Sequence, residues 1–285
     1  AAAGPGDRLW VSGSTFGPGD DEEFGGVFDE WTGTRYLTWV ASGDCRRQCS
    51  WTVRTADDDP DLTAGISEIT VAPDGTPHAL SHDPGDSSGD GPSLLVYDGP
   101  GWRARPIDMT RSGARLHSLA FDTAGTAWAA ASGPSGGLAE ITADDTIVLV
   151  PGEVLPRDIR SITASADGGT WVAVRRPRDH FGSSDDASGI LRFDGETWTA
   201  HTVADGLLSD EAATVVAGPN ATVWAIHDAG YSRWDGDRWR AYVTDDSVSG
   251  GEATVGPDGT LWAVAPIGVV SFDGDVQVLH ETASR

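Results

Sequence analysis

The side chains able to do chemistry are few and scattered. The chain holds seven histidines. No Ser/His/Asp or Cys/His set falls at a spacing that would join a nucleophile to its base, so no catalytic residue is assigned. Acid–base work needs an imidazole beside a carboxylate, and the candidates are His117 with Glu68 or Glu252. Cys45 and Cys49 have three residues between them. In an oxidising compartment they would staple the turn between two strands, whereas a cytoplasmic chain would keep two free thiols. No second cysteine pair or nearby histidine completes a zinc site. The acidic runs at 20–23, 57–59, 83–90 and 185–186 lack the alternating oxygens and turn glycine of a calcium loop, and read as solvated. Neither a metal nor a cofactor is expected.

Charge narrows the partners. The formal net charge is -25, from 44 acidic against 19 basic residues. A surface of that sign repels phosphate, which excludes nucleic acid and disfavours anionic membranes. No apolar run approaches the roughly 18 residues that span a bilayer, so no membrane insertion is expected within this chain. Every basic residue is arginine and aspartate outnumbers glutamate, as in a GC-rich coding sequence or an adaptation to high salt. The opening Ala1-Ala2-Ala3-Gly4 fits a mature form after signal cleavage or an excised ectodomain, with a cloning scar as the alternative. An extracellular or periplasmic location follows as the expectation, with membrane anchoring through a longer protein kept open.

The elements that must position these residues are short strands. Helical periodicity is nearly absent, and alternating runs recur between Gly/Asp/Pro turns. One register reads Ala72-Pro-Asp-Gly-Thr-Pro-His78, Asp122-Thr-Ala-Gly-Thr-Ala-Trp128 and Ser165-Ala-Asp-Gly-Gly-Thr-Trp171, then Gly218-Pro-Asn-Ala-Thr-Val-Trp224 and Gly256-Pro-Asp-Gly-Thr-Leu-Trp262. Its last residue recurs about every 46 positions, the size of a propeller blade. A second register follows: Tyr97-Asp-Gly-Pro-Gly-Trp102, Phe193-Asp-Gly-Glu-Thr-Trp198, Trp234-Asp-Gly-Asp-Arg-Trp239 and Phe272-Asp-Gly-Asp-Val-Gln277, with Ala143-Asp-Asp-Thr146 standing there in the third repeat. Each repeat therefore predicts four strands, the last two joined by a tight hairpin. The repeated tryptophans predict a packing layer between blades.

The expected fold is an all-β propeller of four-stranded blades in one domain over 1–285, with six blades favoured and seven as the alternative. Regular blades run over about 64–280, after an irregular one over about 7–58. For that first blade, 8–12, 26–30, 35–39 and 51–54 are the favoured strands. A competing register equates Asp7-Arg-Leu-Trp10 with Asp258-Gly-Thr-Leu-Trp262, which puts Trp10 on a second strand and leaves the inner strand to come from the C-terminus or to be lost upstream.

Residues 189–243 resemble the two-component-regulator propeller repeat, a ligand-binding sensor module found outside the membrane in bacterial receptors. The resemblance rests on Phe193-Asp-Gly-Glu-Thr-Trp198, Asp205-Gly-Leu-Leu-Ser-Asp210 and Val223-Trp-Ala225. It implies a sensor or adaptor that binds a small polar ligand or a protein partner without catalysis. The alternatives are a propeller lyase or hydrolase with a polar central site, and an extracellular interaction scaffold. Equivalent inner-strand positions are Glu68, Ser118, Ser161, Thr214 and Glu252, next to His117, Arg160 and Glu211. Together these eight form the expected ligand site, on a face also built up by the long loops 14–25, 82–93 and 176–188. Mass spectrometry without reductant should find Cys45 linked to Cys49 in protein from its native compartment; two freely alkylated thiols there refute the staple.

Overall fold

The computed structural model describes residues 2–3, 8–18, 34–44, 50–55, 58–62, 65–82, 93–107, 115–132, 137–150, 159–174, 189–244, 253–256, 258–265 and 268–280. The chain divides into two compact units, residues 1–71 with 75–106, and residues 72–74 with 107–285. In the first unit, β1 (Ala2–Ala3), β2 (Arg8–Pro18), β3 (Thr34–Asp44) and β4 (Ser50–Thr55) form one antiparallel sheet. A second is made by β5 (Gly65–Val71), β6 (Pro77–His82), β7 (Ser93–Tyr97) and β8 (Trp102–Pro106).

Four sheets make the second unit. The first has β9 (Arg115–Phe121), β10 (Ala127–Ser132), β11 (Gly137–Ile141) and β12 (Ile147–Leu149). Next come β13 (Ile159–Ala164), β14 (Thr170–Val174), β15 (Gly189–Phe193) and β16 (Trp198–His201). They are followed by β17 (Thr214–Ala217), β18 (Val223–His227), β19 (Gly230–Trp234) and β20 (Trp239–Val243). The last are β21 (Ala253–Val255), β22 (Leu261–Ala265), β23 (Gly268–Phe272) and β24 (Gln277–His280).

The fold is thus an all-β propeller of four-stranded blades. Five of these sheets, from β5 onward, share one construction. The first is built differently, around an eleven-residue hairpin of β2 and β3. The expected six or seven blades are corrected to five blades of the repeated type. Trp10 sits on the second strand of the first sheet, as the competing register has it, but the first strand is β1 of Ala2–Ala3, which that register left missing. Residues 14–18, expected in a loop, continue β2. The loop stretches 83–92 and 175–188, the run 26–30, and Cys45 with Cys49 lie outside the described residues.

Turn chemistry explains why the repeats fold alike. In the first register a backbone N–H bonds to the carbonyl four residues on: Asp122 to Thr126 at 3.1 Å, Ser165 to Gly169 at 2.9 Å, Gly256 to Thr260 at 2.8 Å. Closing that loop requires a left-handed residue, supplied by Gly125, Gly168 and Gly259 at φ 87°, 85° and 87°. Ala143-Asp-Asp-Thr146 is the same turn moved to the second position. There Thr142 N–H donates to Thr146 O at 2.9 Å, and Asp145 takes φ 61°, a conformation aspartate tolerates better than most residues. In the second register the aspartate carboxylate itself accepts backbone N–H groups. Asp194 Oδ1 takes those of Glu196 and Thr197 at 3.0 and 2.7 Å. Asp273 Oδ1 takes those of Asp275 and Val276, both at 2.8 Å.

The core lies between blades. The second strands β14 and β18 are buried on both faces, because each is sandwiched by neighbouring sheets. Trp128 packs with Ile162, Val172 and Phe193 of the next blade, Trp171 with Val223, Ala225 and Trp239, and Trp224 with Leu261, Val270 and Phe272. The expected tryptophan layer is present at these three positions, and Trp102 and Trp239 are buried as well. Trp262 departs from it at 37% exposed, whereas Trp171 and Trp224 are fully buried. His78, in the tryptophan register, is buried with Nδ1 3.0 Å from Thr76 O. The acidic run 57–59 is also more than a solvated loop. Asp59 is buried against Arg54 at 3.0 Å and accepts the Trp102 N–H at 3.4 Å. Asp61 takes the Ala104 N–H at 2.9 Å, so this loop covers outer strand β8.

Trp171→Ala should lower stability by about 3–5 kcal/mol, the usual loss for a fully buried aromatic. Trp262→Ala should cost clearly less. Urea unfolding of both variants measures this, and equal losses would show that the buried layer does not carry the blade contacts.

Candidate functional site

Inner strands from neighbouring blades lie side by side in the second unit, β9 beside β13, β13 beside β17, and β17 beside β21. They belong to different sheets, so side chains tie them where a ladder would otherwise run. Ser161 Oγ donates to Val215 O at 3.2 Å and accepts the Val215 N–H at 3.0 Å. Thr163 Oγ1 accepts the Ala217 N–H at 3.0 Å. His117 Nε2 lies 2.7 Å from Ile159 O; a carbonyl can only accept, so Nε2 carries the proton.

A register slip recurs at one position. Leu116 pairs with Ala131 and Ser118 with Ala130, leaving His117 as the extra residue of a β-bulge. Ile159 pairs with Val174 and Ser161 with Ala173, leaving Arg160. In the first unit Ser67 occupies the same place. A bulge re-aims its side chain relative to the regular alternation, which is why bulges gather near binding sites.

The expected site residues sort accordingly. His117 and Arg160 are brought to adjacent inner strands at equivalent bulges. Ser161 ties its blade to the next through Val215. Ser118 and Thr214 are buried on β9 and β17, and Thr214 has a partner of its own. Glu211 is exposed, and its backbone carbonyl lies 3.0 Å from His227 Nδ1. Glu68 is partly buried on β5 in the first unit, with a partner of its own. Glu252 lies outside the described residues. No group of three or more potential metal ligands occurs among the described residues.

Two groups at the bulges are left open. His117 Nδ1 is buried with no hydrogen-bond partner among the described residues. Arg160 is exposed, with no carboxylate partner among them. By contrast Arg54, Arg192 and Arg240 pair with Asp59, Asp167 and Asp235 at 3.0, 3.0 and 3.1 Å, and Arg103 pairs with Asp98.

One histidine elsewhere is closed, and His201 Nε2, like His117 Nδ1, is buried with no hydrogen-bond partner among the described residues. Ser232 Oγ and His227 Nε2 are 2.9 Å apart, a contact that resembles a nucleophile with its base. Both residues are fully buried. Nδ1 donates to Glu211 O, so Nε2 must accept from the Ser232 hydroxyl, whose oxygen takes the Leu208 N–H at 2.9 Å. Every polar atom is satisfied and no substrate can reach it, so the pair latches the loop before β17 onto β19. Spacing alone did not reveal this pair; the short β18–β19 hairpin, which sets Ser232 opposite Ala225, is its only sequence signal. His201 stacks on Trp171 at 5.2 Å and 25° and sits 5.0 Å from Trp234. Burial pushes both rings below the ordinary histidine pKa; at His201 Arg192 adds to this and Asp205 opposes it.

No protein-family description matches the chain, and no curated protein matches it in sequence. Among solved structures it is similar to the extracellular domain of a hybrid two-component system protein from B. thetaiotaomicron. The TM-score is 0.58 at 15% identity, covering 84% of this chain and 32% of that one. This chain thus spans about a third of that domain's length. It is also similar to virginiamycin B lyase from Staphylococcus aureus, with TM-score 0.51 at 11% identity over 93% of this chain and 98% of that chain. At such identities the likeness shows the fold, and the resemblance to extracellular sensor propellers holds at that level. Among the described residues no helix is long and apolar enough to cross a membrane.

Acid should act in two stages. His201 and His227 have lowered folded pKa values, so their contribution is complete above the unfolded value near 6.5 and lost as pH falls through the folded ones. Asp194 is held at about 2 by backbone N–H groups of Thr197 and Glu196; its contribution is complete above about 4 and disappears toward pH 2. Urea unfolding at stepped pH should show both declines, with His201→Phe reducing only the first. A flat profile from pH 7 to 4 contradicts the histidine assignment.

Proposed function

We propose that the chain is an exported, non-catalytic propeller, a sensor or adaptor that binds a small polar ligand at the inner-strand bulges, with His117 and Arg160 as its main contacts. The supporting observation is that these two polar groups stay unpartnered among the described residues. The Ser232–His227 pair, by contrast, is buried and saturated. The likeness of fold to a sensor ectodomain supports the class. The reading treats 1–285 as one propeller domain.

A second reading, a propeller lyase or hydrolase, is favoured by the same nitrogen. In the neutral ring Nδ1 carries a free lone pair, as a general base requires. The two separate on one variant. Under the binding reading, His117→Gln weakens a bound metabolite recovered from a native extract, and the purified protein turns over no cyclic ester or glycoside. Turnover that His117→Gln abolishes would establish the enzyme instead.

A further inference from the structure

We infer that the His117–Arg160 pair reads a hydroxycarboxylate: an oxyanion on the Arg160 guanidinium and a hydroxyl proton on His117 Nδ1. This rests on the ligand-binding reading above and names the chemical class that the site takes.

Three observations lead there. The first is the direction of the His117 ring. In the neutral ring Nε2 spends its proton on Ile159 O at 2.7 Å, so Nδ1 accepts, and the complementary ligand group is an O–H or N–H donor. Leaving that buried nitrogen unmade is costly, which gives a donor there more than the usual worth of a hydrogen bond. The second is proximity. Ile159 and Arg160 share a peptide, so the imidazole lies against the backbone that carries the guanidinium. Both are extra residues of bulges at one register in consecutive blades, so the donor and acceptor requirements fall on one molecule. The third is charge. In a chain of net charge -25 Arg54, Arg103, Arg192, Arg238 and Arg240 are engaged by aspartates, whereas Arg160 has no carboxylate partner among the described residues. A guanidinium open on an inner strand is a local positive site in a negative field, and its planar fork matches a carboxylate. Neutral polyols would satisfy the histidine alone, and simple dicarboxylates the arginine alone.

The test uses the whole chain and four probes. L-malate and D-glucuronate carry both groups, succinate only carboxylates, and glucose only hydroxyls. Binding is read by calorimetry and by the ¹⁵N resonances of the His117 ring and the Arg160 side chain. The expected result is saturable binding of at least one hydroxycarboxylate, weaker by about tenfold or more in Arg160→Gln. His117→Phe should reduce it severalfold, and the affinity should fall with added salt. Succinate and glucose should each bind more weakly than the hydroxycarboxylates. Both variants change one partly exposed side chain, and far-ultraviolet dichroism checks that they fold. Glucose binding that depends on His117 and ignores Arg160 overturns the oxyanion assignment while leaving the ligand-binding reading intact. No saturable response of either resonance to any of the four probes overturns the inference.

Discussion

The structure depends on one contact made between blades, the edge of a second-strand indole against an aromatic ring of the following sheet. Trp128 meets Phe193 at 5.9 Å and 72°, Trp171 meets Trp239 at 5.7 Å and 88°, and Trp224 meets Phe272 at 5.6 Å and 72°. Edge-to-face pairs combine large apolar burial with a preferred orientation, so they fix both spacing and tilt between sheets that share no backbone ladder. The indole N–H is tied to its own turn, at 3.1 Å from Asp122 Oδ2 in one blade and 3.0 Å from Ser165 Oγ in the next. Where glycine holds that turn position, at Gly218, the Trp224 N–H is buried without a partner among the described residues.

Turns consume part of the chain's negative charge. Asp98, Asp194, Asp235 and Asp273 accept the N–H groups of their own hairpins. Asp98 and Asp235 also pair with arginines on the strand after the turn, Arg103 and Arg240. An acidic composition that looks like a solvated surface is therefore partly a set of turn closures. The one repeat lacking the second Asp-Gly uses Asp145 in the left-handed conformation. Close approach sets other positions: a Cβ on Gly230, at φ 142°, would lie 2.1 Å from Tyr242 O, which explains why glycine opens β19.

Polar inner-strand residues serve two purposes that their types cannot distinguish. Ser161 and Thr163 spend their hydroxyls on the backbone of β17 and hold the blades together. His117 makes one such bond and keeps its second nitrogen free. The bulge is what separates the roles, since it takes His117 and Arg160 out of the regular alternation that makes Ser161 a staple. A site of this kind depends on blade packing for its geometry: the residues come from different repeats, and the aromatic layer together with the inner-strand ties sets how far apart those repeats stand.

Strand count per repeat, turn positions and the tryptophan layer were legible in the sequence because they are local. An Asp-Gly turn, a period-2 run and a recurrent indole each act within a few residues, and the repeat states them several times over. The first sheet was less legible because its eleven-residue hairpin carries no such repeat, and the run 57–59 because its burial depends on Arg54 and on the distant Trp102 and Ala104 N–H groups. Of the site, the inner-strand register could be read from the alignment of repeats, which put His117 and Arg160 in play. Only the tertiary structure decided which hydroxyls are spent, that Ser232 meets His227, and that the slip in pairing falls on His117 and Arg160. Those outcomes turn on hydrogen bonds between residues dozens of positions apart, such as Ser161 with Val215 and His117 with Ile159. A linear chain carries no distance between such partners until the sheets have packed.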